Sequence, residues 1–353
     1  MTTIDKQAPV LVTGASGYIA GWIIRYLLEE GRTVHATVRD PGKKASVAHL
    51  EAIAAKTKGQ LKFFKADLLD VGSFDEAAKG CELVLHTASP FVISGFTDAN
   101  EALVRPAVEG TRNVLETVNR TPSVKRVVLT TSIAAIFGDN QDLRNIPGGV
   151  FTEEHWNTSS SVDHQPYSYS KVAAEREAWK IANAQKRWDL VCINPAFVLG
   201  PSLTKSSVST SIETLVNLGS GKLRTGVPHL MFSVVDVRDV ARAHLLAGDT
   251  PSANGRHIVA AQEMSLLDMA KTLRPKFPKY PLPTFEIPKA TAWLMGPITA
   301  DITRKFVSTN VGWPLKLDNS RSRKALGLKY LPVQKTLNEH FQQLIDDGLL
   351  KAR

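Results

Sequence analysis

The stretch "PVLVTGASGYIAGWIIRYLLEEG" (9–31) predicts a strand, a tight turn and a helix in direct succession. The apolar run that begins at Pro9 ends at Gly14, as a buried strand ends at a turn. Apolar residues then recur at helical spacing over 18–31, and Gly31 is a common helix stop. A strand that passes through a glycine turn into a helix is the first unit expected of an α/β fold.

The rest of the first half repeats this unit. Further apolar strands are predicted at 33–39, 61–68, 81–89, 124–132 and 190–198, and helices separate them at 43–57, 73–79, 100–119 and 168–185. Strands that are apolar throughout and alternate with helices indicate a parallel sheet covered on both faces. The pattern therefore predicts a doubly wound parallel sheet.

The pattern changes after residue 201. Segment 202–232 is rich in Ser and Gly with one amphipathic piece at 209–218, and 232–248 returns to a strand and a helix. Beyond about residue 262 the chain is Pro-rich and mixed, and it closes on a helix at 335–349. We expect two parts. Residues 1–201 and 233–261 form the sheet domain, and residues 202–232 and 262–353 form a smaller, mixed substrate lobe.

Composition narrows the class of protein. The 353 residues are 43% hydrophobic, and the formal charge of +9 is scattered rather than gathered into the basic stripe of a nucleic-acid binder. The N-terminus shows no signal peptide, and no run approaches 18 apolar residues. Cys81 and Cys192 lie in apolar stretches without metal-ligand spacing, as buried thiols of a reducing compartment do. We expect a cytoplasmic protein that binds neither nucleic acid nor membrane.

The glycine turn predicts a dinucleotide site. Gly14 permits the tight turn, Gly17 lets the backbone approach a pyrophosphate, and Ala20 keeps the helix close to the strand. The helix N-terminus offers free N–H groups and a positive dipole to phosphates. The alternative is a purely structural turn, which the surrounding strand–helix alternation disfavours.

The end of the second strand indicates which cofactor binds. An acidic residue there hydrogen-bonds the ribose of NAD, and an arginine favours the 2′-phosphate of NADP. Arg39 stands at this point with Lys44 nearby, but Asp40 could serve an NAD ribose instead. The two basic residues favour NADP.

The stretch "PYSYSKVAAE" (166–175) suggests a proton-transfer site. Tyr167 and Lys171 are four residues apart and share a helix face, whereas Tyr169 points elsewhere. A nearby ammonium group lowers the pKa of a phenol, so we expect Lys171 to lower that of Tyr167. A hydroxyl that positions a carbonyl oxygen could come from "VVLTTSIAA" (127–135); Ser132 is the first choice, with Thr130 and Thr131 as alternatives.

Three residues of "VDVRDVARAH" (235–244) could suggest a metal site. Asp236, Asp239 and His244 fit no common ligand spacing. We expect Asp239 to cap a helix that begins at residue 240, and we expect no metal.

Taken together, the motifs resemble those of the extended short-chain dehydrogenases/reductases, in the group of dihydroflavonol 4-reductase, cinnamoyl-CoA reductase and methylglyoxal reductase. The segments that carry the resemblance span nearly the whole chain and include "VTGASGYIAG", "ATVRDPGKK", "VLHTASP", "RVVLTTSIAA", "YSYSK", "NPAFVLGP" and "LDNSRSRKALGLKY". The resemblance implies a Rossmann-type fold and a Ser132–Tyr167–Lys171 triad. Where plant dihydroflavonol reductases carry an Asn that meets the flavonoid ring, this chain has Phe137, which argues against a flavonoid substrate.

The resemblance also implies a set of cofactor-binding residues. Arg39 and Lys44 would meet the 2′-phosphate, Asp67 and Leu68 the adenine, and the segment from Pro195 to Val198 the nicotinamide. The full set comprises Thr13, Gly14, Ser16, Gly17, Tyr18, Ile19, Arg39, Lys44, Asp67, Leu68, Thr87, Ala88, Ser89, Tyr167, Lys171, Pro195, Ala196 and Val198.

The predicted substrate pocket lies between the nicotinamide and the small lobe. Its expected apolar walls are Phe91, Phe96, Phe137, Leu230 and Met231. Such a cleft suits a hydrophobic or aryl aldehyde, ketone or ketoester, reduced by NADPH with Tyr167 as the acid. The rivals are a nucleotide-sugar epimerase or dehydratase on the same fold, and a non-catalytic dinucleotide-binding sensor. Either a monomer or a homodimer is compatible with the sequence.

Overall fold

The computed structural model describes residues 1–89, 98–205, 210–299 and 302–351. Its main sheet has seven strands, all parallel, in the order β10-β6-β5-β4-β1-β2-β3. Numbered along the whole chain, these strands are β1 (Val10–Thr13), β2 (Thr33–Val38), β3 (Gln60–Lys65), β4 (Leu83–His86), β5 (Arg126–Thr130), β6 (Asp189–Pro195) and β10 (Gly255–Val259).

Helices cover both faces of this sheet. They are α1 (Tyr18–Glu29), α2 (Lys44–Ala54), α3 (Asp75–Ala78), α4 (Arg105–Arg120), α5 (Pro166–Asn183) and α7 (Val237–Asp249), and a π-helical turn over Asn100–Val104 precedes α4. Successive strand residues point to opposite faces, so Val10 and Val12 pack in the core under α1, α2 and α7, while Leu11 packs in the core under α3, α4 and α5. The predicted doubly wound parallel sheet is confirmed.

The predicted strand at 190–198 is wrong in one respect, because it is two strands in two sheets. Strand β6 ends at Pro195, which has no N–H with which to continue a ladder. Ala196 still donates to the Val259 carbonyl at 3.0 Å, and β7 (Phe197–Leu199) then pairs in parallel with β9 (Met231–Asp236). Strand β9 also pairs antiparallel with β11 (Gln262–Ser265), which completes a three-stranded sheet.

A separate hydrophobic core, distinct from the two on the faces of the main sheet, surrounds this smaller sheet. Leu199, Leu215, Val234, Met264 and Phe341 belong to it, so the sheet packs with helices from the distant C-terminal part of the chain. The remaining elements are α6 (Thr210–Gly219), β8 (Val227–Pro228), α8 (Leu266–Leu273), β12 (Glu286–Ile287), α9 (Lys289–Thr299), α10 (Arg304–Asn310), α11 (Ser320–Ala325) and α12 (Val333–Asp346). Within the described ranges, no helix is long and apolar enough to cross a membrane.

Candidate active site

The site lies where the strand order of the main sheet reverses, between β1 and β4. Ligands of open parallel sheets bind outside the carboxyl ends of the strands at such a switch point. The turn after β1 and the segment after β4 meet here, since a Cβ on Gly14 would lie 2.9 Å from Ala88 Cα. Gly14 also has φ +68°, so glycine is required at this turn for two reasons.

The N-terminus of α1 opens onto this cleft. Gly17 is its N-cap residue, no side chain among the described residues caps it, and its first turn carries no acidic residue. Ser16 and Gly17 are exposed, whereas Tyr18 and Ile19 are half-buried. The N–H groups and positive dipole of this helix end are therefore available to an anionic group, and a pyrophosphate fits this donor set.

Thr13, the last residue of β1, connects the glycine turn to the segment after β4. Its side chain is fully buried, and its hydroxyl oxygen accepts from the N–H groups of Thr87 and Ala88 at 3.1 and 3.0 Å. His86 Nδ1 lies 2.8 Å from the same oxygen. The Thr13 side chain thus ties β1 to the segment that follows β4, and the predicted contact of Thr13 with a cofactor stays a prediction.

Tyr18 links the glycine turn to the segment that follows β7. Its hydroxyl donates to the carbonyl of Gly200, which follows β7. Burial raises the pKa of Tyr18 well above its usual value, so the phenol stays protonated. The tyrosine thus fixes the distance between the glycine turn and the chain after β7.

The end of β2 carries the charges that were predicted to read the 2′-phosphate. Arg39 and Asp40 are both exposed, and Arg39 forms no ion pair within the described part of the chain. Asp40 Oδ1 accepts from the Gly42 N–H at 2.9 Å and so holds its own turn. Lys44 pairs with Glu51 at 2.8 Å, whereas Arg39 and the exposed Lys43 have no ion pair within the described ranges.

Asp67 and Leu68 follow β3, on the side of the cleft where the adenine was expected. Asp67 is exposed, and its carboxylate accepts from the Leu69 N–H at 2.9 Å. Leu68 is half-buried, and its carbonyl accepts from Asn113 Nδ2 at 2.8 Å. Leu68 also lines a small cavity together with Ala88, Ser89 and Lys171, so the structure brings these predicted residues together.

Tyr167 and Lys171 lie one turn apart on α5. Lys171 Nζ is 5.4 Å from the centre of the Tyr167 ring and donates to Ser89 Oγ at 2.9 Å. Ser132 follows β5 directly, and α5 packs against the 3-10 turn Ile133–Ala135 that Ser132 begins. The three predicted triad residues therefore belong to two elements in contact at the carboxyl edge of the sheet.

The hydrogen bonds distinguish Ser132 from its two neighbours. Ser132 Oγ accepts from the Ala134 N–H at 3.1 Å, which fixes the oxygen and leaves the O–H able to donate. Thr131 Oγ1 donates to Glu175 Oε2 at 2.7 Å. Thr130 Oγ1 lies 2.6 Å from His244 Nε2. Because both threonine hydroxyls have buried partners, Ser132 is the best placed of the three to bind a carbonyl oxygen.

Burial sets the pKa values of the two key groups. It raises the pKa of Tyr167 to about 12 and lowers that of Lys171 to about 8. The sequence analysis expected Lys171 to lower the pKa of Tyr167; the net shift is upward, because the phenol loses hydration on burial. At neutral pH the phenol carries its proton, which is the form that a general acid needs.

Glu175 anchors the catalytic helix to the sheet. Its carboxylate is 1% exposed and accepts from Arg256 Nε at 2.6 Å and Asn194 Nδ2 at 2.9 Å. Glu175 lies one turn beyond Lys171, and both line the small cavity, whose volume of about 20 Å³ has room for one water. A wider groove of about 580 Å³, between Asn140–Arg144 and Trp313–Lys316, contains none of the triad.

The predicted substrate residues are only partly brought together. Phe91 and Phe96 lie outside the described residues, and Leu230 and Met231 are half-buried at the start of β9. Phe137 is 8% exposed and stacks on Phe151, with ring centres 4.6 Å apart and planes 11° apart. Phe137 therefore packs in the core against Phe151, and its role as a pocket wall stays a prediction.

The segment predicted to flank the nicotinamide, residues 195–198, lies at the break between the two sheets. Pro195 and Ala196 are buried there, and Val198 is half-buried in β7. This break puts the segment at the carboxyl end of β6, the edge of the sheet to which the glycine turn also belongs.

The three residues considered for metal are each engaged elsewhere. Asp236 is the true N-cap of α7, because its carboxylate accepts from the Arg238 N–H at 2.8 Å and the helix begins at Val237. Asp239 lies inside the helix and accepts from the Leu331 N–H at 2.9 Å, so its predicted capping role is wrong. His244 Nδ1 lies 2.7 Å from the Val240 carbonyl, and burial lowers its pKa to about 4.

Comparison with known proteins identifies the family. Residues 10–261 match the NAD dependent epimerase/dehydratase family. The chain belongs to this family. The match covers the glycine turn, Ser132, Tyr167 and Lys171, and ends just after β10.

Relatives within the epimerase/dehydratase family extend the match to nearly the whole chain. The chain is 37% identical over 347 residues to cinnamoyl-CoA reductase CAD2 of Medicago truncatula, covering 98% of each protein. It is 34% identical over 352 residues to tetraketide alpha-pyrone reductase 1 of Arabidopsis thaliana, covering 99% of this chain and 98% of the relative. The resemblance drawn from the motifs is confirmed.

A solved structure matches in three dimensions. The yeast methylglyoxal/isovaleraldehyde reductase Gre2, complexed with NADPH, superimposes with a TM-score of 0.77 at 29% identity. The match covers 97% of this chain and 100% of the yeast protein. The fold of this epimerase/dehydratase family member is thus also that of a reductase structure.

Sequence reasoning missed two buried acidic residues next to the site. Glu175 had a signal, because it lies four residues after Lys171 and shares its helix face. Asp139 had only a local signal, the capping box that it forms with Asp142, whereas its bonds to His164, Gln165 and Asn310 span 25 to 171 residues and have no local signal.

Proposed function

We propose that this chain reduces an aldehyde or ketone to the alcohol with NADPH, using Tyr167 as the proton donor. The broader part of this statement is shown by its relatives, which are reductases over nearly its whole length: the chain is an NADP-dependent oxidoreductase. The observation that carries the finer part is the half-buried Tyr167 ring, which lies one helical turn from Lys171 with its centre 5.4 Å from Lys171 Nζ.

Ser132, Tyr167 and Lys171 have separate roles in binding the carbonyl oxygen and in transferring the proton. When bound, NADPH supplies the hydride that adds to the carbonyl carbon. The Ser132 hydroxyl donates a hydrogen bond to the carbonyl oxygen, and Tyr167 transfers its phenolic proton to that oxygen. The charge of Lys171 then stabilises the phenolate that Tyr167 becomes, until it regains a proton from water.

The cofactor would be held by the chain's own positive groups. The open N-terminus of α1, with Gly14 and Gly17 in the turn before it, receives the pyrophosphate. Arg39 takes the 2′-phosphate, since it is exposed and Lys44 is already paired with Glu51. Asp40 is a weaker candidate for a hydrogen bond to the ribose, because its carboxylate already accepts from the Gly42 N–H.

The substrate is proposed to be a small, hydrophobic or aryl carbonyl compound or a ketoester. Leu230 and Met231 supply half-buried apolar side chains at the entrance to β9. Phe91 and Phe96 remain proposed walls on sequence grounds alone. A cytoplasmic location is proposed as well, because Cys81 and Cys192 are free, buried thiols.

A turnover panel tests this function. Purified protein is given NADPH with aryl and aliphatic aldehydes, ketones, ketoesters and one nucleotide sugar, and both NADPH loss and product are quantified. We expect one NADPH consumed for each alcohol formed from a hydrophobic carbonyl compound. Conversion of the nucleotide sugar without net NADPH loss would identify an epimerase or dehydratase instead. NADPH binding without turnover of any carbonyl compound would identify a sensor.

A further inference from the structure

A single buried carboxylate, that of Asp139, connects three parts of the chain. It is 2% exposed and lies seven residues after Ser132. Its Oδ2 accepts from His164 Nε2 at 2.7 Å, and its Oδ1 accepts from Gln165 Nε2 at 2.5 Å. Oδ1 also accepts from Asn310 Nδ2 at 2.7 Å and lies 2.9 Å from Thr309 Oγ1. Two of these partners immediately precede the catalytic helix α5, and two end helix α10.

The backbone at Gln165 is held in an unfavourable conformation. With φ 54° and ψ 57°, Gln165 is the one non-glycine residue of positive φ in the described ranges. A left-handed conformation costs a residue with a Cβ about 1–2 kcal/mol, so it persists where surrounding contacts fix it. Here the Gln165 amide donates to the Gly138 carbonyl at 2.6 Å as well as to Asp139.

Tyr167 depends on this residue for its position. It is the second residue of α5, where the helix N–H groups have no partners within the helix and the preceding chain sets the direction of entry. Lys171 lies one turn further in, and its Nζ is held by Ser89. Tyr167 is two residues from Gln165 and Lys171 is six, so a rotation of the backbone at Gln165 acts on Tyr167 more directly than on Lys171.

We propose that Asp139 is a positioning residue for the proton transfer. It locks Gln165 in the left-handed conformation, sets the Tyr167 hydroxyl against Ser132, and joins this helix start to α10. The inference rests on the proposed function, since it takes Tyr167 as the acid. Misplacement of a reacting group by about 1 Å costs on the order of 10²-fold in rate, so the effect falls on kcat rather than on cofactor binding.

A nearby carboxylate provides the matched control. Asp142 Oδ2 accepts from the N–H groups of Gly138 and Asp139 at 3.3 and 3.0 Å and from Ser159 Oγ at 2.6 Å. It stabilises the same 3-10 turn, Asn140–Asn145, without bonding to Gln165 or α10. Loss of either carboxylate should lower stability, but only loss of Asp139 should misplace Tyr167.

The experiment compares Asp139→Asn, Gln165→Gly, Asp142→Asn and Tyr167→Phe with wild type. NADPH binding is titrated by fluorescence, kcat is expressed per NADPH-binding site, and Tm is measured for each. Asp139→Asn and Gln165→Gly should each lose about tenfold or more in kcat, in line with a misplaced reacting group, with NADPH Kd within about twofold. Asp142→Asn should lower Tm and keep kcat per site within about twofold. Gln165→Gly loses the side-chain hydrogen bonds to Gly138 and Asp139 but relieves the left-handed strain, so its Tm should fall less than that of Asp139→Asn.

Each outcome decides a separate point. A folded Gln165→Gly with wild-type kcat overturns the positioning role, and so does an equal kcat loss in Asp139→Asn and Asp142→Asn. If Asp139→Asn fails to fold, Gln165→Gly alone decides. Wild-type kcat in Tyr167→Phe rejects the proposed acid itself, whereas an inactive Tyr167→Phe beside a fully active Gln165→Gly rejects only the inference about Asp139.

Discussion

Replacement of Tyr167 by Phe removes the proposed acid and keeps the ring. General acid catalysis contributes about 10²- to 10⁴-fold to such a reaction. The structure favours the lower part of that range, because the variant keeps the Ser132 hydroxyl, held by the Ala134 N–H, and the Lys171 ammonium. We therefore expect kcat to fall by about 10²- to 10³-fold, a barrier increase of about 2.7–4.1 kcal/mol at about 1.36 kcal/mol for each factor of ten.

The assay measures kcat and NADPH affinity separately. Steady-state NADPH consumption with the best carbonyl substrate of the panel gives kcat, and fluorescence titration gives the NADPH Kd. The Kd should change by less than about threefold, because a hydroxyl that acts mainly in the transition state adds little to ground-state binding.

Tyr169→Phe is the matched control, since Tyr169 lies on the same helix two residues away and off the face that Tyr167 and Lys171 share. It should keep kcat within about threefold of wild type, as expected of a residue outside the reacting groups. Equal losses in the two variants, or a Tyr167→Phe variant with wild-type kcat, would refute the assignment of the acid.

Three further predictions concern the cofactor, pH dependence and the core. Arg39→Ala should lower kcat/KM for NADPH about tenfold or more, because a charge-assisted hydrogen bond contributes about 1.5–3 kcal/mol. The kinetics with NADH should stay unchanged. A wild-type protein that prefers NADH would instead show that Asp40 binds the ribose and sets the cofactor preference. Burial lowers the pKa of Lys171 to about 8, so Lys171 is charged below that pH and neutral above it. The value of kcat/KM for NADPH should therefore decline as the pH rises through about 8. A pH profile of Lys171→Arg should lack this alkaline decline, and an unaltered decline would assign it to another group. Phe137→Ala should lower the free energy of unfolding by about 3–5 kcal/mol in urea titrations, because a buried phenyl ring is lost. The NADPH KM should stay near that of wild type. A changed substrate ranking at wild-type stability would show that Phe137 lines the substrate pocket.

The sequence predicted the sheet well because each signal was local. Apolar strands alternate with amphipathic helices, and Gly14 stands at the first strand-to-helix turn, where φ and close approach require glycine. The errors arose where a local pattern has two structural solutions. The apolar run 190–198 reads as one strand, yet Pro195 ends the ladder and Phe197 pairs in another sheet. Asp236 and Asp239 are both plausible caps, and only the backbone at Val237 shows that the helix begins early enough for Asp236.

By itself the sequence determined the glycine turn, the four-residue register of Tyr167 with Lys171, and the three hydroxyls proposed as candidates for the second donor. These features depend on spacing along the chain, which the periodicity of a helix or strand translates directly into geometry. Only the tertiary structure decided that Thr130 and Thr131 are engaged by His244 and Glu175 while Ser132 keeps its O–H. It alone also decided that burial raises the pKa of Tyr167, and that Asp139 joins residues up to 171 positions apart. Burial and long-range hydrogen bonds depend on neighbours that come together only when distant segments pack, so no local pattern encodes them.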